Sequence, residues 1–228
     1  MDILLIAGLW LEESAWAEVA ARLAELGHRP VPVALPGQGD RNTSATLADQ
    51  VAAVLAAVDA AAGPPMVVGH SAASSLAWLA ADARPGKVAE AVFIGGWPAS
   101  DGKPYFDGLP VTDGAVPFPG WAEFEGPDSA DLDAAARQAF AAAAIPVPEG
   151  VTSAVVQLTN PRRYDVPAVL ICPEFTPAEA RELISEGELP ELAKIRNLSL
   201  VDIDSGHWPM ITAPAELARL IDQIAADS

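Results

Sequence analysis

The sequence predicts an α/β fold, a six-stranded and mostly parallel sheet with helices on both faces. Two observations carry this. Short runs rich in Val, Ile and Leu recur along the 228 residues, and longer segments of helical period separate them. Unbroken apolar runs are what strands covered on both faces need. The strand candidates are Ile3–Ala7, Arg29–Ala34, Met66–Gly69, Ala91–Gly95, Ala168–Cys172 and Leu198–Ile203. Between them, Trp16, Val19, Leu23 and Leu26 form one apolar stripe. Leu47, Val51, Val54, Leu55 and Val58 form a second, and Leu217, Leu220, Ile221 and Ile224 a third. Two helix starts are marked by capping-box spacing, Thr46 with Asp49 and Thr176 with Glu179, the latter with Pro177 at the first helical position. The chain length suits a single domain spanning residues 1–228. Residues 97–164, rich in Pro, Gly and Asp with an Ala-rich helical stretch at 132–144, are too long for an ordinary connection and read as an insertion over the sheet edge.

Charge and composition exclude several functions. A formal net charge of −18 repels nucleic-acid phosphates and anionic membrane surfaces, so a small-molecule substrate is the expected partner. One cysteine and three histidines provide neither a disulfide nor a Cys/His metal site. The first turn, AGLWLEES, lacks the glycine spacing that a dinucleotide pyrophosphate needs, and no phosphate-binding GxxxxGK[ST] occurs. No cofactor is expected. The opening MDILLIAGLW has no basic leader and no apolar run is long enough to span a bilayer, which together point to the cytoplasm. Nothing in the sequence speaks to oligomeric state.

Ligands of open parallel sheets bind beyond the carboxyl ends of the strands. There the third strand runs into Gly69-His70-Ser71-Ala72-Ala73. A serine on such a strand-to-helix turn is held out over the sheet edge beside a helix N-terminus, although capping the helix is the other role this position takes. A nucleophilic serine needs a base, and the last strand delivers one on the same rim, His207 in DSGHWP. His28 falls on the opposite rim as a surface turn residue, and His70, pointing away from its neighbour Ser71, is expected to pack locally. Trp10, Trp97 and Trp208 follow strands at this rim and are candidates for an apolar substrate pocket, with Phe175 and Met210 as weaker ones. Trp16 and Trp78, on helical stripes, belong to the core. Glu12 and Glu13 read as helix-dipole partners, and Asp202 and Asp204 as turn residues.

AGLWLEESAW, LPGQGD, VVGHSAA, FIGGWP and DSGHWP, in that order across nearly the whole chain, resemble the small α/β-hydrolases of the branch that includes plant methyl esterases and hydroxynitrile lyases. The resemblance implies the strand order 2-1-3-4-5-6 and makes residues 97–164 a short helical cap. It implies Ser71 as nucleophile, His207 as base, and an oxyanion hole from the main-chain N–H groups of Leu9 and Ala72. The chain departs from the family in reading Ala7-Gly8 for His-Gly in the first loop, which removes a side chain that supports it, and in Ala73 for the elbow's second glycine.

The family's acid follows the fifth strand, where this chain reads Cys172-Pro173-Glu174-Phe175-Thr176-Pro177 without an aspartate. With Thr176 committed to a cap, Glu174 is the first choice. Asp101, after the fourth strand, is the alternative, and a Ser–His dyad with no acid is the third. The resulting expectation is a serine hydrolase cleaving a small, apolar carboxylic ester or thioester through an acyl-enzyme on Ser71. The rivals are a proton-transferring lyase of hydroxynitrile-lyase type and a non-catalytic receptor that kept the fold.

Overall fold

The computed structural model describes residues 1–227. In chain order its regular elements are β1 (Asp2–Ile6), α1 (Ala17–Glu25), β2 (Arg29–Pro32), α2 (Leu47–Ala60), β3 (Met66–His70), α3 (Ser74–Ala83) and β4 (Glu90–Ile94). Then follow β5 (Ala115–Val116), α4 (Ala134–Ala143), β6 (Val147–Pro148), α5 (Glu149–Thr152), β7 (Ala168–Cys172), α6 (Pro177–Glu186), β8 (Leu198–Asp202), α7 (Pro209–Thr212) and α8 (Pro214–Asp227). The main sheet has six strands in the order β2-β1-β3-β4-β7-β8, which is 2-1-3-4-5-6 when only its own strands are counted. All of its pairings are parallel.

Burial explains the sequence pattern strand by strand. β1, β3, β4 and β7 are buried at every position, so they read as continuous apolar runs, whereas the edge strands β2 and β8 are half-exposed. Alternate residues serve opposite layers. Leu4, Ile6, Val67, Phe93 and Leu170 pack with Val54 and Val58 of α2 and Leu76 and Trp78 of α3. Ile3, Leu5, Val68, Ile94 and Ile171 pack on the other face with Trp16, with Val19 and Leu23 of α1 and with Leu217, Ile221 and Ile224 of α8. Leu26, expected on the first stripe, lies just beyond α1 and is exposed.

β2 stops at Pro32, two residues earlier than its apolar character suggested. Arg29 donates to Met1 O and Val33 to Leu5 O, so Pro30 and Pro32 fall where the edge strand has no partner and their missing N–H groups cost nothing. Beyond Val33 the chain leaves the ladder and turns toward the loop after β1. Both predicted capping boxes form, at Thr46/Asp49 and Thr176/Glu179.

Between β4 and β7 the chain builds α4 behind the N-cap of Asp133 and a two-stranded antiparallel ribbon of β5 and β6. An aromatic cluster fixes this segment to the sheet. Phe118, Trp121, Phe124 and Phe140 meet one another and reach Trp10 of the β1 loop and Trp208 of the β8 loop, for example Trp10–Phe118 at 5.5 Å and Phe140–Trp208 at 5.1 Å between centroids. The segment's far end is tied down by a buried polar knot. Arg163 bonds Asp82 of α3 at 3.1 Å and Glu191 at 3.0 Å, while Trp78 Nε1 also donates to Glu191 at 3.0 Å. Among the described residues, no helix is long and apolar enough to cross a membrane.

Candidate active site

The carboxyl ends of β1, β3, β4, β7 and β8 bring five loops to one rim. β3 ends at His70, and Ser71 follows with φ +55°, a left-handed conformation that a serine adopts only under constraint. The constraint is the close return of the helix. A Cβ on Gly69 would lie 2.3 Å from Ala73 O, so the turn closes only because residue 69 is glycine. Ala73, in contrast, is accommodated and fully buried. Ala72 sits in the first helical turn, where main-chain N–H groups have no intrahelical acceptor.

Gly95 and Gly96, directly after β4, separate the elbow from the β7 and β8 loops. A Cβ on Gly96 would come within 3.0 Å of Ser71 Cα, and one on Gly95 within 3.2 Å of His207 Nδ1 and 3.3 Å of Glu174 Oε2. The two glycines thus let Ser71 and the His207–Glu174 pair approach a common point from either side. His207 Nδ1 and Glu174 Oε1 are 2.6 Å apart, both side chains nearly buried. With Nδ1–H donating to the carboxylate, Nε2 carries the lone pair. No hydrogen bond joins Ser71 Oγ and His207 among the described residues, and the serine hydroxyl stands free on the wall of a cavity.

Asp101 faces elsewhere. Its carboxylate accepts the Leu158 N–H at 2.8 Å and is engaged in closing the 97–164 segment. Trp97 and Phe175 stand on the cavity wall with their rings 5.8 Å apart, while Trp10 and Trp208 are buried to 5% and 2% exposure inside the aromatic cluster and do not line the cavity. Rings of that size bury most stability when covered on all sides, and the segment after β4 covers them. Met210 is likewise buried. His28 bonds Asp222 of α8 at 2.8 Å, a structural contact away from this rim.

The His207 loop is held by residues that no sequence pattern marks. His70 Nε2 donates to the main-chain oxygen of His207 at 2.7 Å, so the elbow histidine does more than pack. On the other side, His207 N–H donates to Asp128 O at 2.8 Å and Gly206 N–H to the Asp131 carboxylate at 2.7 Å. Burial foremost, reinforced by the nearby His207, pushes His70 down to about 3 and keeps it neutral, although its bond to His207 O works the other way. An unfolded chain binds a proton here below about 6.5 that the folded protein refuses, so this group's contribution falls away as pH drops below 6.5. It should amount to about 2 kcal/mol lost between pH 7 and 5. His70→Gln, which keeps a donor for His207 O, should flatten the acid limb of stability in urea titrations, and an unchanged slope would remove the assignment. Burial, with the charges of Asp202 and Glu174, pushes the Cys172 thiol up to about 12, so it stays protonated and unreactive.

Ala7 brings no polar side chain to the β1 loop, but Gln38 does. Its Nε2 donates to Gly8 O at 2.8 Å and Leu11 O at 2.7 Å.

Residues 3–220 match the profile of the alpha/beta hydrolase family. The chain belongs to that family. A comparison with curated proteins gave no match. Among solved structures, the family member is similar to an extracellular α/β-hydrolase from a Paenibacillus species, described as sharing structural and functional homology with tobacco salicylic acid binding protein 2 (TM-score 0.80, 19% identity, 98% of each chain). It is similar to a pyrethroid hydrolase from Sphingobium faniae JZ-2 (TM-score 0.76, 20% identity, 99% of this chain and 97% of that one). It is also similar to the methylesterase MES16 from Arabidopsis (TM-score 0.76, 14% identity, 100% of both chains). At these identities the likeness is one of fold.

Proposed function

We propose that this α/β-hydrolase is a carboxylesterase acting on small, largely apolar esters through an acyl-enzyme on Ser71. The observation that carries the reading is the short His207–Glu174 bond beside a serine held in a strained elbow. Ser71 Oγ attacks the ester carbonyl carbon while His207 Nε2 takes its proton, and Glu174 stabilises the imidazolium. The oxyanion forms toward the N–H groups of Leu9 and Ala72. Collapse breaks the carbon–oxygen bond, the alcohol leaving with the proton from His207. Water, deprotonated by His207, then attacks the acyl carbon and frees the carboxylic acid and Ser71. The cavity of about 550 Å³, walled by Trp97, Phe175, Leu189 and Leu192 with Ser100 and Lys103 among its polar groups, suits a small-molecule ester. Residues 97–164 serve as its cap, in one domain with the sheet.

An alkyl fluorophosphonate tests this directly. Stoichiometric labelling of Ser71, lost in Ser71→Ala and His207→Ala, together with a burst of alcohol from a p-nitrophenyl ester, is the expected result. An unlabelled wild-type protein without ester turnover would remove the proposal and leave a lyase or a receptor.

A further inference from the structure

Building on the esterase reading, we infer that Gln38 is a positioning residue that sets the oxyanion hole, by holding the β1 loop through a buried carboxamide. Gln38 is 3% exposed and reaches the loop from 30 residues away in sequence. Its two Nε2 hydrogens go to Gly8 O and Leu11 O, the carbonyls on either side of the turn at Leu9 and Trp10. Both partners are carbonyl oxygens, so only the NH₂ end of the amide can face them. The other end is fixed too. Gln38 Oε1 accepts from Gln50 Nε2 at 3.0 Å, and Gln50, fully buried in α2, gives its second hydrogen to Pro36 O at 2.9 Å. Every N–H of the two amides is used, and the relay runs from α2 to the rim of the sheet.

The consequence for chemistry follows from peptide geometry. Gly8 C=O and Leu9 N–H belong to one planar trans peptide and point in opposite directions. Fixing Gly8 O on Gln38 therefore aims Leu9 N–H away from Gln38. Gly8 itself lies against the nucleophile, since a Cβ there would meet Ser71 Cβ at 3.1 Å. Between the two clasped carbonyls Trp10 stands in the left-handed region at φ +65°, a conformation uncommon for a bulky side chain. Trp10's own bonds, Nε1–H donating to Val116 O at 3.2 Å and its carbonyl accepting from Ile145 N–H at 2.9 Å, tie the same turn to the segment after β4.

The test compares Gln38→Leu, which keeps volume but leaves both carbonyls unpaired, with Gln38→Asn, which keeps an amide but is one methylene too short to span them. Active sites are counted with the fluorophosphonate. Per counted site, each variant should lose about tenfold to a hundredfold in kcat for p-nitrophenyl butyrate with KM little changed, and an alkyl trifluoromethyl ketone, which binds as its oxyanion, should weaken in parallel. A substitution that merely unsettles the fold lowers the number of sites and leaves both per-site quantities alone, and that outcome in either variant overturns the inference. Failure of the wild type to label or turn over would instead strike the esterase reading beneath it.

Discussion

Replacing Glu174 with glutamine should lower kcat for ester hydrolysis by about three to four orders of magnitude while changing KM far less. The carboxylate oxygen lies 2.6 Å from His207 Nδ1, so it selects the tautomer with its proton on Nδ1 and its lone pair on Nε2. A glutamine at the same place can present its NH₂ instead, which favours the opposite tautomer and puts the wrong nitrogen state in front of Ser71. Asp101→Asn is the matched control, because Asp101 spends its carboxylate on the Leu158 N–H and should leave kcat unaltered. Equal losses in both variants, or near-native turnover in Glu174→Gln, would unseat Glu174 as the acid.

Arg163→Met should destabilise the fold by about 3–5 kcal/mol at neutral pH, the scale seen when one partner of a buried ion pair is removed. Arg163, Asp82 and Glu191 are all nearly inaccessible, with side-chain exposures of 7%, 8% and 4%. Burial alone pushes the Glu191 carboxyl up, but its bonds from Arg163 and Trp78 prevail and hold it below its ordinary value. A carboxylate depressed in this way contributes stability above its unfolded value near 4.5, which is lost as pH falls. Without the guanidinium, burial prevails and the sign reverses, so protonating Glu191 relieves the variant. The gap between the two proteins in urea titrations should be narrower at pH 5 than at pH 7.5. Parallel pH dependences would show that lost packing, and not uncompensated charge, is what the substitution removes.

The legible parts of this molecule are those fixed by short-range chemistry. Four strands buried on both faces spell themselves as apolar runs, and two helices announce their starts by capping boxes that the structure forms. Gly69 and Ser71 are readable because a tight elbow constrains neighbours in sequence. What the sequence conceals is held across distance. Gln38, Asp131 and His70 bond residues 30, 75 and 137 positions away, and no local spacing reports such contacts. Trp10 and Trp208 mislead for a related reason. Position after a strand places them at the rim, but whether an aromatic ring there faces a ligand or a covering layer depends on residues 118–140, whose packing leaves no periodic trace.

The two acceptors under the β8 loop, Asp128 O and the Asp131 carboxylate, belong to the excursion between β4 and β7 and not to the sheet. Chimeras that trade this excursion for another member's, as a shortcut to new selectivity, would therefore strip His207 of its scaffold along with the old cavity wall. A transplant has to carry over the stretch from Asp128 to Asp131, or supply its equivalent, before it can redirect the chemistry.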